Sequence, residues 1–361
     1  MAGIVASFAL MIAMATMVSS FRGSVDDWLE RVLPAELYAR IAQAGSIAHF
    51  PESDLERLAS HPGVARADFS RFARLQLDPA RAQVLLVVRT VDPDRPGADL
   101  PLTGEAVRWT PDMPPPIWVT EAVVDIYGMR PGQTVELPLA GRMQPFKVVG
   151  VWRDYARQFG AIAMRTADYR AATGDATITD AALWLKPGYS AVRVAEELRA
   201  QMEAGAATEF VQPGDIRKLS LQIFDRSFAV TYVLEIAAIA IGLIGIAATF
   251  SSQAIARTRE FGMLRHIGLT RGQVLGLLAI EGALVTALAI AVGLATGLVV
   301  ALVLIKVINP QSFHWTMDFN APQALIGGLM VALMAAAVVT AVIAGRRAVS
   351  IDAVRAVRDD W

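Results

Sequence analysis

The chain offers few residues for bond-making chemistry. It has four lysines, Lys147, Lys186, Lys218 and Lys306, and none follows a glycine, so the G-K-[ST] phosphate loop of a nucleotide-hydrolysing domain cannot be built. It has no cysteine, which removes disulfide scaffolds, thiolate metal sites and cysteine nucleophiles. His49 and His61 have no second ligand at metal-binding spacing and read as surface or turn histidines. Ser190 lies in Gly188-Tyr189-Ser190-Ala191-Val192, which departs from the nucleophile-elbow pattern at its last position and reads as the N-cap of the following helix. The acidic groups are scattered, without the paired placement that acid–base catalysis needs. No catalytic and no metal-binding constellation is expected, and the chain is not expected to be an enzyme.

Two other sets of polar residues stand out. Glu235 and Glu281 each interrupt an otherwise uncharged apolar block. Ionisable residues in such a setting are functional candidates by default. The segment 251–273 concentrates Arg257, Arg259, Arg265 and Arg271 against Glu260, a net charge of +3. Over the whole chain of 361 residues the charges nearly cancel, to −1, which argues against a nucleic-acid binder with a broad basic surface.

The elements that position these residues are mostly membrane helices. Hydrophobic residues make up 54% of the chain and charged ones 19%, against about 25% charged in an ordinary soluble protein. The excess sits in four blocks: 1–21, 228–249, 274–305 and 321–344. A spanning helix needs about 20 apolar residues, so each block is long enough. The first ends in small residues, Thr16 to Ser20, but lacks the basic start of a signal peptide and reads as a span. Measured along the helices from opposite faces, Glu235 and Glu281 lie about 12 Å deep, and their depths differ by about 6 Å. A shared polar seam, an acid facing the bundle or a snorkelling acid all fit. Lys306 reads as snorkelling at the outer rim. Gly293 and Gly297 form a GxxxG pattern suited to close helix packing; Gly242, Gly245, Gly327 and Gly328 add small faces.

Basic residues set the topology. The +3 segment 251–273 and a tail holding Arg346, Arg347, Arg355 and Arg358 belong in the cytoplasm, which leaves 22–227 and 306–320 outside. The outer domain reads as α+β. Asp26 to Ala44 is expected as a helix with Pro34 interrupting, and Ser53 as the N-cap of a short helix stopped by His61-Pro62-Gly63. Strands are expected at Phe69–Leu77, Val84–Val88, Thr134–Leu139, Phe146–Val151 and Ala181–Leu185. Pro111 to Pro116 reads as a rigid connector, and Ser190–Met202 as an amphipathic helix.

In the 251–273 loop nothing breaks the second span at its inner end. The helix is expected to run through Arg265 to Gly268, a good C′ residue, and Thr270 with Gln273 then forms a capping box. Phe261, Met263, Leu264 and Ile267 offer apolar surface among the charges, which suits docking into a partner's groove.

The stretch RTREFGMLRHIGLTRGQVLGLLAIEGAL resembles the signature of the FtsX/MacB-type ABC transporter permeases. There an R-x-R-E-[FI]-G-x-L-[RK]-x-[IL]-G run follows the second span and contacts the ATPase subunit. PIWVTEAVVDIYGMRPGQTVELPLAGRMQPFKVVGVWRDY is similar to that family's extracytoplasmic core, with Gln133 where its turn commonly has Asp, and GRRAVSIDAVRAVRDDW is similar to its closing run. Similar permeases often carry an acid at the position of Glu281.

The resemblance implies a membrane α-helical fold with four transmembrane helices and a large α+β extracytoplasmic domain inserted between the first and second. Its parts are a first helix at 1–21, a MacB-like core at 22–227 and an FtsX-like permease domain at 228–361. That last part has spans at about 228–250, 274–305 and 321–344, a coupling loop at 251–273 and a tail at 345–361. Arg257, Arg259, Glu260, Phe261, Leu264 and Arg265 would couple to the ATPase, whose closure would push on 256–267 and tilt the second span. ATP and Mg would be bound by that partner subunit and no cofactor by this chain. Further implied partners are a second permease copy or homologous half, an extracytoplasmic adaptor or substrate protein, and the lipid bilayer, with no nucleic acid. The missing cytoplasmic stretch before the first block suggests the C-terminal half of a longer permease or a truncated start. The expected function is movement of the outer domain for export or extraction of a lipophilic or large substrate in the inner or plasma membrane. The alternative is a non-transporting regulator of a cell-wall enzyme, which neighbouring genes would separate from transport.

Overall fold

The computed structural model describes residues 2–41 and 48–350. Expectations placed on Arg355, Arg358 and the closing run beyond residue 350 lie outside the described residues, as do the side chains of Arg259 and Arg347. Along the chain come α1 (Ala2–Val32), β1 (Leu37–Ile41), α2 (Glu52–Ser60), β2 (Val64–Leu75), β3 (Val84–Arg89), β4 (Pro116–Thr120) and α3 (Glu121–Tyr127). There follow β5 (Thr134–Leu139), β6 (Arg142–Trp152), β7 (Ala161–Arg165), α4 (Thr166–Thr173), β8 (Asp180–Leu185), α5 (Ala191–Gln201) and β9 (Thr208–Val211). The remainder is helical: α6 (Pro213–Ser227), α7 (Ala229–Ala256), α8 (Thr258–His266), α9 (Arg271–Val303), a π-helical turn Leu304–Ile308, α10 (Asn309–Phe313) and α11 (Gln323–Ser350).

Among the described residues, four helical stretches are long and apolar enough to cross a membrane: Val5–Val32, Ala229–Gln253, Arg271–Phe313 and Gln323–Arg346. The large domain lies between the first and second. Contacts divide the chain into two compact units, the second comprising Gly23–Phe224 together with Asn309–Thr316. In the first unit, Phe8, Met11 and Ile12 of α1 pack with Ala289 and Ile290 of α9 and with Leu333 and Ala337 of α11. The GxxxG glycines make the α1–α9 approach possible. A Cβ on Gly297 would stand 2.7 Å from the Ala9 carbonyl oxygen and from Ile12 Cβ, and one on Gly293 3.0 Å from Phe8. Gly242 approaches Ser7, whereas Gly245, Gly327 and Gly328 meet nothing within 4 Å. Lys306 sits in the π turn and donates to the Met317 carbonyl at 3.4 Å.

The second unit is built on a nine-stranded sheet of order β5-β6-β4-β7-β3-β2-β8-β1-β9. The β3–β7 and β4–β6 pairs are parallel and the rest antiparallel. β2 serves both halves: residues 64–70 pair with β8 and residues 71–75 with β3. One core lies around Leu86, Ile117, Phe146 and Ile162, and a second around Leu37, Leu58, Leu183 and Leu198.

Some local expectations are met and others are corrected. The helix expected over 26–44 stops at Val32, ahead of Pro34, and β1 takes over. α2 starts at Glu52 after Pro51, and the Ser53 hydroxyl donates to Glu203 at 2.9 Å instead of capping. Ser190 occupies the N-cap of α5 without a capping side-chain bond. His61 is buried in its turn, where it accepts the Gly63 N–H at 3.1 Å and lies 3.1 Å from a Glu197 oxygen. Pro116, assigned to a connector, opens β4.

Candidate functional site

The expected unbroken helix through 251–268 is split. Arg257 leaves helical geometry at φ −100°, ψ 13°, and α8 starts at the next residue. No glycine or proline causes the break; side-chain bonding accompanies it. Arg257 Nε donates to Glu260 at 2.7 Å, and one terminal nitrogen, Nη1, donates to both oxygens of Glu281, at 2.9 and 2.6 Å. The guanidinium also stands 5.6 Å from the centre of the Phe261 ring, within cation–π range. Its pKa is raised further above its ordinary value by the Glu260 and Glu281 hydrogen bonds. It stays charged throughout the accessible pH range.

Phe261 is not docking surface, which corrects its assigned contact role. It is 1% exposed and packs with Val274 and Leu278 of α9 and Ala344 of α11, with Leu264 and Leu269 alongside. α8 is therefore mounted on the third and fourth spanning helices by its apolar side. Its end is fixed by a Schellman motif: the Leu269 N–H donates to Leu264 O and the Gly268 N–H to Arg265 O, both at 3.1 Å. Gly268 takes φ +107°, which its lack of a Cβ permits. Thr270 then caps α9, with the reciprocal Gln273 bond of a capping box. What α8 leaves exposed is Met263 and Ile267, one helical turn apart, together with Glu260 and His266.

Glu281 is drawn out of the seam considered for it with Glu235. It lines a cleft with Phe250, Gln253, Arg257, Leu278 and Gly282, and its carboxylate belongs to Arg257. Glu235, half-buried on α7, does not join this cluster. Arg265 is half-buried at the end of α8. Among the described residues, no group of three or more His, Cys, Asp or Glu side chains could hold a metal ion. The site can present a rigid helix to a partner and pass displacement to α9 and α11. Sequence reasoning missed the Arg257 break, for which only the Arg257/Glu260 spacing was a signal.

Residues 1–201 match the MacB-like periplasmic core domain and residues 232–353 the FtsX-like permease C-terminal domain. An uncharacterized ABC transporter permease protein of Mycobacterium tuberculosis is 27% identical over 351 residues, covering 93% of this chain. The chain spans 40% of that relative's length. Among solved structures, the periplasmic region of MacB from Actinobacillus actinomycetemcomitans aligns at 11% identity and TM-score 0.37, over 53% of this chain and 94% of that one. The extracellular domain of the noncanonic ABC-type transporter YknZ from Gram-positive bacteria aligns at 13% identity and TM-score 0.35, over 49% of this chain and 99% of that one.

Proposed function

Because the chain belongs to the FtsX/MacB-type ABC transporter permease family, we propose that it is the membrane subunit through which a separate ATPase moves the large inserted domain. The domain would lie outside the cytoplasm, α8 inside it, and the complex in the inner or plasma membrane. Nucleotide and Mg would be handled by the ATPase subunit alone. The cargo is a lipophilic or large molecule, exported or extracted by domain movement. This suits a bundle whose α1–α9 seam is closed by glycine packing.

One observation carries the reading. α8 is a short, capped helix held on α9 and α11 by Phe261 and the Arg257–Glu281 pair, with Met263 and Ile267 left uncovered. A loop serving only as a connection needs no such mounting. Helix-in-groove recognition uses apolar anchors at i and i+4, the spacing of Met263 and Ile267. Pressure on α8 would reach α9 and α11 first, rather than tilting α7. The test is co-purification of the ATPase with the full chain. Met263→Asp with Ile267→Asp is expected to abolish association while membrane insertion is kept, and unchanged association would refute the reading.

A further inference from the structure

The segment between the third and fourth spanning helices, Asn309–Thr316, packs as part of the large domain. Its chemistry there is specific. Glu121 and Asp125 lie one turn apart on α3. Glu121 accepts the Thr316 backbone N–H at 3.0 Å with one oxygen and the Thr316 hydroxyl at 2.7 Å with the other. Asp125 pairs with the His314 ring. Arg153 donates to the Thr316 hydroxyl oxygen and the Tyr155 hydroxyl to the Thr316 carbonyl, each at 2.9 Å. The Trp315 ring, 5% exposed, meets Tyr155 edge-on at 4.8 Å, and Tyr155 meets Trp28 at 5.8 Å.

The segment's own shape is set for this docking. Asn309 donates to the Trp315 carbonyl at 2.8 Å, closing a compact loop. His314 takes a left-handed φ of +61°, uncommon for a residue with a Cβ. A loop that only joined two helices would have no need to saturate a half-buried carboxylate or to hold a non-glycine residue in that conformation.

We infer that Asn309–Thr316 is a strut that drives the large domain from the third and fourth spanning helices, with the Glu121 carboxylate as its anchor. The inference rests on the proposed permease role and adds its route. α8 sits on α9 and α11, those two helices are covalently continuous with the two ends of the strut, and the strut grips α3. The helical connections through α1 and α6 are then guides, and this hairpin is the driver.

The test uses the full chain purified with its ATPase. Because the chain has no cysteine, Asp125→Cys with His314→Cys gives a unique pair for a short bis-thiol reagent. Cross-linking is expected to be near complete without nucleotide. It should fall at least fivefold on adding Thr316→Val and Glu121→Gln, and recover when Thr316→Ser replaces Thr316→Val on the native Glu121. In the cysteine-free background, Thr316→Val with Glu121→Gln should keep ATPase co-purification and basal hydrolysis within twofold. The same pair should lose the nucleotide-dependent change in protease accessibility of the large domain. A wild-type nucleotide response in that variant overturns the strut alone. Absence of any ATPase with the unmodified chain overturns the permease reading, and the strut with it.

Discussion

A single terminal nitrogen of Arg257 binds both oxygens of Glu281, 24 positions along the chain, at 2.9 and 2.6 Å. The pair ties the start of α8 to α9 at the point where α7 has just ended. Both partners are one-third or more exposed, at 34% and 42%, so water screening keeps its stability worth to about 0.2–1 kcal/mol. Its importance lies in direction: it joins α8 to one helix and not another. We expect Arg257→Glu to uncouple hydrolysis from domain movement with little loss of stability. Arg257→Glu with Glu281→Arg should recover at least half of the coupling, read as the nucleotide-dependent protease response.

Phe261 and the Met263/Ile267 pair should behave oppositely. Removing a fully buried ring costs about 3–5 kcal/mol, so Phe261→Ala should lower the chain's melting temperature in detergent and lose the ATPase through unfolding of α8. Met263→Asp with Ile267→Asp should leave the melting temperature within a degree or two. Binding should fall at least tenfold, the equivalent of about 1.4 kcal/mol. Equal thermal losses in both variants would show that Met263 and Ile267 are structural.

The glycines divide by what surrounds them. Gly297→Ala puts a methyl 2.7 Å from the Ala9 carbonyl oxygen, so α1 must move away and the melting temperature should fall. Gly328→Ala points into open space and removes backbone entropy, so it should stabilise by up to about 1 kcal/mol. Thermal melts of the two single variants check the contrast.

Acid should weaken the large domain at a definite place. Burial raises the Asp175 pKa, but this is outweighed by hydrogen bonds from the Thr177 N–H and hydroxyl and the Tyr169 hydroxyl, and by Arg71. The net shift is downward. A carboxyl lowered on folding stabilises fully above its unfolded value, near 3.9, and that contribution is lost as pH falls through the folded value. Stability should therefore drop steadily below about pH 4, and Asp175→Asn should flatten that slope. An unchanged slope in the variant would show that another group controls it.

The membrane helices were legible because an apolar block of 20 or more residues has few other uses. Strands such as Thr134–Leu139 were legible by composition and flanking turns. Three of the strands that escaped did so for identifiable reasons. Pro116 opens β4, where a missing N–H is tolerated, so the proline cluster concealed a strand fully buried along its length. β7, Ala-Ile-Ala-Met-Arg, is nearly all buried and lacks the alternation of a half-exposed strand. β1 followed a helix whose charged pattern ran on past Pro34. In the 251–273 loop, the Schellman and capping-box turn could be read from Gly268, Thr270 and Gln273, because such motifs are local. The break at Arg257 could not, because Glu281 lies a whole helix away.

The sharing of β2 and the placing of β1 set a timetable for synthesis. β1, residues 37–41, finds its neighbours only in β8 and β9, at residues 180–183 and 208–211. The half of the sheet built from β3 to β7 has all its strands as soon as Arg165 has been made. β1 meanwhile waits, beside a helix already entering the bilayer, with both edges bare until β8 has been made and with one edge bare until about 170 further residues have been translated. An open strand of that kind is a template for wrong pairing. The interval before β9 arrives is when this chain most needs a chaperone.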